Sequence, residues 1–317
     1  MKLNQIIQLV PEYRDYVWGG NRLRPGIAPT AEAWIVYEGD KIKNGSLAGH
    51  TLAEAALEFG ETLLGKLPMQ HTGARFPLLI KILDAEQWLS LQVHPNDQQA
   101  KALEGPDFFG KTEAWHVLEA NEGAQLISGL RPDTSPSELA DAVRNGAILN
   151  WVQYHTVHKG DSIFIAPGTI HALGPGVMLY EVQQTSDLTY RVYDWDRPQT
   201  QTRKLHIDKS LAVIDPQATS TPVPLTIAPP DAKKTLVACP YFSLEYIRSD
   251  LQSISMNTRQ QSFHALTVIE GQADIQAGDE TARLSRFDTV LIPARCGAYT
   301  IQPRGSCVLL KSSADGY

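Results

Sequence analysis

Leu89-Ser90-Leu91-Gln92-Val93-His94-Pro95 alternates apolar and polar residues with period two. Laid out as a β-strand, it puts Leu89, Leu91 and Val93 on one face and Ser90, Gln92 and His94 on the other. An amide and an imidazole two residues apart on one strand face converge on a point above the sheet, as metal ligands do inside a β-barrel. Taken alone, a Gln-x-His pair is more often a solvated polar face. Two further groups shift the balance: Glu113 in Lys111-Thr112-Glu113, and His171 in Pro167-Gly168-Thr169-Ile170-His171. Each sits at the start or end of another strand-like run.

The rest of the chain reads as mainly β around this stretch. Trp34 to Glu38, Phe76 to Leu83, Glu113 to Glu119, Ala124 to Ser128, Trp151 to Val157, Ser162 to Ala166, Val177 to Val182 and Leu188 to Tyr193 all carry strand character. Tyr16-Val17-Trp18-Gly19-Gly20 ends in a glycine pair suited to a tight turn. Thr51 and Glu54 form a capping box that opens a helix ending at Gly60. A second helix follows Ser135 and Pro136, with Leu139, Ala142 and Val143 as its stripe and Gly146 as its stop. Pro216, Pro222, Pro224, Pro229 and Pro230 mark a connector with little regular structure. Beyond it, Leu236 to Ser312 returns to short strands.

That last region looks like a worn repeat of the middle. His264-Ala265-Leu266-Thr267-Val268-Ile269-Glu270 lies over Glu113-Ala114-Trp115-His116-Val117-Leu118-Glu119, and Phe287-Asp288-Thr289-Val290-Leu291-Ile292-Pro293 echoes the run from Gly160 to Pro167. The copy carries no counterpart of Gln92, His94 or His171.

Composition narrows the function classes. With 317 residues the chain is long enough for two domains, and its 43% hydrophobic and 20% charged content is that of a globular protein. A net charge of −7 argues against nucleic acid as a partner, since that binding runs on phosphate neutralisation, but leaves room for a small phosphorylated ligand. Cys239, Cys296 and Cys307 form no CxxC pair and too few partners for a disulfide framework, which fits a reduced, cytoplasmic setting. The polar N-terminus does not read as a signal peptide, and no apolar run approaches the roughly 20 residues of a membrane span.

The strand pair, the Gly-Asp turn followed by Pro-Gly, and the histidine after it resemble the second motif of the cupin barrel. Within that superfamily, Ser90 to Asp97, Gly110 to Trp115, and the run from Pro167 to Arg197 are similar to type I mannose-6-phosphate isomerase in its short bacterial form. Trp18-Gly19-Gly20, Glu32-Ala33-Trp34 and Leu205-His206-Ile207 also fit, so the resemblance spans nearly the whole chain. It implies a mainly β fold of two cupin-like jelly-roll barrels, with a few short helices inserted in and beside the first. The expected division is a metal-binding barrel within 1–214, a Pro-rich connector over 215–235, and a metal-free barrel over 236–317. A monomer or weak homo-oligomer is expected.

The family binds one zinc ion per chain, and the resemblance carries its ligands over to Gln92, His94, Glu113 and His171. One carboxylate and two imidazoles suit borderline Zn²⁺ and leave the ion a net positive charge. The implied reaction interconverts mannose 6-phosphate and fructose 6-phosphate through a cis-enediol(ate). Such chemistry needs a cation at the developing oxyanion, a base near the sugar carbon and cationic anchors for phosphate. Arg191 matches the family's active-site arginine. Lys111, two residues before Glu113, would point to the same side as a phosphate anchor or acid/base. Ser90, Lys81 and Glu181 are expected at the substrate, with Glu181 and Asp187 as alternative bases. A cupin oxygenase using Fe or Mn would employ a similar His/Glu set but has no use for Lys111 and Arg191. A non-catalytic phosphosugar-binding cupin would be expected to lack a ligand or the arginine, and none is missing. The larger family members carry Pro where this chain has Thr112, and a longer helical insertion, so substrate range is open to difference.

Overall fold

The computed structural model describes residues 3–316 apart from 28, 133, 202, 227 and 228. Two residues of the expected connector, 227 and 228, therefore lie outside the described set. By packing, the chain divides into two compact units: Tyr13–Ala33 with Ile82–Pro224, and Met1–Glu12 with Trp34–Lys81 and Leu225–Tyr317. The sequence changes character near residues 214 and 236, but packing groups Trp34–Lys81 with the C-terminal strands. Strand pairing is the reason. Ile7–Val10 pairs antiparallel with Thr289–Ile292 on one edge and with Lys41–Ile42 on the other.

The unit made of Tyr13–Ala33 and Ile82–Pro224 holds the pivotal strand. One sheet runs in the order Tyr190–Tyr193, Leu91–Val93, His171–Leu173, Gln125–Leu130, Val152–Thr156. In a second, six-stranded sheet Glu113–Ala120 lies between Ser162–Ile165 and Val177–Gln184. Trp115, Val117, Ile163, Ile165, Leu126, Leu173 and Leu179 from the two sheets share one buried cluster, so their inner faces form a sandwich core. This is the jelly-roll arrangement that the family resemblance implied.

The outer face of the first sheet is covered by helices. Leu91 and Val93 pack with Leu139, Ala142 and Val143 of the Pro136–Arg144 helix and with Val213 of the Ile207–Val213 helix. Covering that face fixes the register, because a slip of one residue would turn Gln92 toward the helices. Leu89 departs from the expected face. It precedes the Leu91–Val93 strand and joins the inner cluster with Trp115.

Local signals account for the helices. Ser135 caps its helix through a reciprocal Ser135/Glu138 box, and Thr51 and Glu54 do the same for Leu52–Phe59. Asn96 and Gln99 form a third box, which opens the Asp97–Glu104 helix. The glycine pair Gly19-Gly20 is kept by crowding. A Cβ on Gly19 would lie 2.6 Å from the Ala31 nitrogen, and one on Gly20 2.5 Å from the Asp84 carboxylate.

In the other unit, a seven-stranded sheet and a four-stranded sheet enclose a separate apolar cluster that includes Leu266, Val268, Ile275, Tyr299 and Leu309. The repeat reaches down to single hydrogen bonds. His264–Glu270 is flanked by Thr289–Ile292 and Cys307–Ser313, as Glu113–Ala120 is by its two neighbours. The Asp161 carboxylate accepts from the His158 N–H at 2.8 Å, and Asp288 accepts from Ser285 at the same distance. Gly160 and Phe287 hold the matching left-handed turn position, with φ of 94° and 72°. Among the described residues, no helix is long and apolar enough to cross a membrane.

Candidate metal centre

His94, Glu113 and His171 arrive from three separate elements. His94 follows the Leu91–Val93 strand, Glu113 opens the Glu113–Ala120 strand of the facing sheet, and His171 opens His171–Leu173. One possible ligand atom from each lies within 4.8 Å of the others, and all three side chains are buried. His171 Nε2 stands 3.3 Å from Glu113 Oε2, and His94 Nε2 3.5 Å from the same oxygen. Among the described residues this is the group with metal-binding geometry.

The remaining ring nitrogens settle the tautomers. His94 Nδ1 lies 2.7 Å from the Leu188 carbonyl, and His171 Nδ1 lies 2.9 Å from the Thr169 carbonyl. A carbonyl can only accept, so each Nδ1 carries the proton and each Nε2 turns a lone pair inward. Two lone pairs and a carboxylate thus meet with no proton of their own to share. Such a set is repulsive until a cation joins it, and its N, N, O composition fits a divalent ion.

One cation already stands there. Lys111 Nζ is 2.7 Å from Glu113 Oε1 and 3.4 Å from His94 Nε2. Its backbone is set by Gly110, which passes so close to Asn96 and Asp97 that a Cβ would meet their backbone at 2.5 Å. Gly110 N–H donates to Asp97 Oδ1 and Lys111 N–H to the Pro95 carbonyl. Burial pushes the Glu113 carboxyl up, but the Lys111 ammonium beside it holds it well below the usual carboxylate range. Burial, reinforced by Lys111, pushes His94 down to about 3. The imidazole is therefore neutral and able to ligate at physiological pH.

The other expected residues fall around this trio in different ways. Arg191, Gln92, His171 and Ser128 are directly opposed across four neighbouring strands, so their side chains share one face. Gln92 Nε2 lies 3.2 Å from His171 Nε2, so here the amide presents its nitrogen, and a half-turn would present its oxygen. Arg191 is partly buried, and its Nη1 donates to the Lys204 carbonyl. Burial and then Arg203 lower its pKa. Ser90 is buried in the segment before the strand. Glu181 is buried too, and its Oε2 accepts from the Trp115 indole at 2.8 Å. Packing assigns Lys81 to the other unit, where its ammonium lies 5.1 Å from the centre of the Trp34 ring. Asp187 is exposed in the turn after Ser186.

Four contributors escaped the sequence reading. Trp115 sets its ring edge-on to His171, with centroids 5.4 Å apart. The Leu188 and Thr169 carbonyls fix the two imidazoles, and no side-chain signal announces them. Gln183 opposes Glu113 directly and shares its face. Period-two alternation along Val177–Gln184 would have found it beside Glu181.

Facing antiparallel sheets that converge buried histidines and a glutamate on one point define a cupin-type protein. Residues 6–114 match the family model "Phosphomannose isomerase type I, catalytic domain", and residues 232–312 match "Mannose-6-phosphate isomerase, cupin domain". The chain is 32% identical over 314 residues to the mannose-6-phosphate isomerase ManA of Bacillus subtilis, covering 94% of this chain and 96% of that protein. It is 37% identical over 291 residues to the mannose-6-phosphate isomerase of Streptococcus mutans, covering 87% and 89%. The crystal structure of the mannose 6-phosphate isomerase from Bacillus subtilis superposes with a TM-score of 0.84 at 30% identity, covering 98% of this chain and 99% of that one. This chain belongs to the type I phosphomannose isomerase family.

Proposed function

We propose that this protein interconverts mannose 6-phosphate and fructose 6-phosphate, with one zinc ion held by His94, Glu113, His171 and Gln92. The observation that carries the metal is the pair of inward Nε2 lone pairs facing one carboxylate oxygen. The substrate is argued from the relatives' printed activity and from the cations Lys111 and Arg191 beside the trio.

When bound, the ion supplies Lewis-acid stabilisation of negative charge on the sugar oxygens, worth several kcal/mol. The chain does the rest. Arg191, in one row with Gln92 and His171, adds a fixed positive charge beside the cis-enediol(ate) while keeping its own proton. Lys111 brings an ammonium within hydrogen-bond distance of Glu113 and serves as phosphate anchor or proton carrier. Glu181, which accepts from the Trp115 indole, is assigned the proton transfer between C1 and C2, with Asp187 as the alternative base. Ser90 and Lys81 are assigned to the substrate's polar groups. The C-terminal barrel is read as a metal-free copy, in which His264 at the Glu113 position is bound by Tyr299 at 2.7 Å. Three free cysteines suit a cytoplasmic enzyme, working as a monomer or weak homo-oligomer.

The test is a coupled assay for fructose 6-phosphate formed from mannose 6-phosphate, before and after chelation. Turnover should vanish with the metal and return on adding zinc. Turnover that survives complete metal removal sinks the proposed mechanism.

A further inference from the structure

Gln183 lies directly opposite Glu113 on the neighbouring strand, and directly opposed residues share a face with Cβ atoms about 5 Å apart. Its side chain is fully buried. The amide nitrogen donates to two backbone carbonyls, those of Gln184 at 3.0 Å and Ser186 at 2.5 Å. Carbonyls cannot donate, so this pairing excludes the flipped amide and fixes which end is oxygen. That oxygen, Oε1, is buried and accepts no hydrogen bond.

An orphaned buried acceptor is destabilising, and the two carbonyls hold it in place rather than letting it turn to a donor. The nearby trio offers it nothing, because the inward Nε2 atoms and the Glu113 carboxylate are themselves acceptors. Lys111, the neighbouring donor, is engaged with Glu113 and His94. What fits is a neutral hydroxyl donor entering the site with the substrate. On the isomerase reading above, on which this step rests, the substrate is a polyol with hydroxyls beyond its reacting carbons.

We infer that Gln183 is a substrate-contacting specificity residue, whose Oε1 accepts a hydrogen bond from a non-reacting hydroxyl of the bound sugar phosphate. It makes the site discriminate against a sugar that lacks that hydroxyl, because the acceptor is then left buried and unpaired.

The experiment compares wild type and Gln183→Met by kcat/KM on mannose 6-phosphate and on its 3-deoxy and 4-deoxy analogues, with zinc content and melting temperature measured in parallel. Wild type should disfavour one analogue by about tenfold or more. Q183M should lose about that factor on mannose 6-phosphate and treat it and that analogue alike, with zinc content unchanged. Should Q183M not fold, the wild-type enzyme carries the test by itself: equal kcat/KM on mannose 6-phosphate and on both analogues overturns the inference. An active wild type with Q183M discriminating as before overturns the inference alone, as does a Q183M that loses its zinc. A wild type inactive on mannose 6-phosphate overturns the isomerase reading, and this inference with it.

Discussion

His94 and His171 reach the same state by different routes, one restrained by a carbonyl seventeen residues beyond His171 along the chain, the other by its own turn. Each keeps Nδ1–H outward, and the site depends on both. His171→Ala should remove a ligand without opening the fold, so turnover should fall to background while the circular dichroism spectrum holds; an active variant would remove His171 from the ligand set. Glu113→Gln keeps shape but removes the anion between Lys111 and the two imidazoles. Zinc affinity should drop by at least the roughly 10–100-fold typical of lost supporting contacts, measured by competition with a chromophoric chelator. At this scale the sequence was informative where chemistry sits in side chains. Gln92, His94, Glu113 and His171 each stand out by type and spacing. The carbonyls that choose the tautomers belong to Leu188 and Thr169, whose side chains say nothing about that role.

Among elements, the approach of the segment through Gly110 to the start of the Asp97–Glu104 helix decides where Lys111 stands. Asp97 Oδ1 accepts from Gly110 N–H at 2.7 Å and from Gln184 Nε2 at 3.1 Å, tying that approach to the strand carrying Gln183. Gly110→Ala should therefore act at a distance. Its methyl must displace backbone, costing about 1–3 kcal/mol of stability, and Lys111 moves with it, so kcat should fall as well. Calorimetry and the coupled assay on one preparation check both arms; a variant of wild-type stability and rate would show the crowding to be harmless. This helix was legible in principle through Asn96 and Gln99. It is only eight residues long and fully buries just Ala100, so no apolar stripe marks it in the sequence. Leu89 was misplaced for a related reason. Alternation continues past the end of hydrogen-bonded pairing, and period two carries facing information only within the ladder.

For the whole molecule, each unit buries a histidine outside the metal-binding set. Burial, aided by Lys159, pushes His116 down to about 4, and burial, aided by Lys311, pushes His264 down to about 3. Unfolded, both would titrate near 6.5. The unfolded chain therefore binds more protons below that value, and the stability these groups contribute is present above about pH 6.5 and lost as pH falls toward 4 and 3. Denaturant midpoints should fall between pH 7 and pH 5, and His264→Gln should flatten the part of that dependence belonging to its unit. A slope that His264→Gln leaves untouched would assign the acid sensitivity elsewhere. The mainly β class and the repeat were readable because alternation and turn residues are local. The grouping of Trp34–Lys81 with the C-terminal strands was not, since it follows from pairing over some 280 residues.

That interleaving sets an order on biosynthesis. The unit bearing His94, Glu113 and His171 draws its last residue from Pro224, whereas the other unit needs strands that end at Ser313. On a ribosome emitting residues from the amino end, the first can close while the second still waits for Leu225–Tyr317, more than half of its residues. Ile7–Val10 must spend that interval without Thr289–Ile292, an open edge in want of a chaperone's cover.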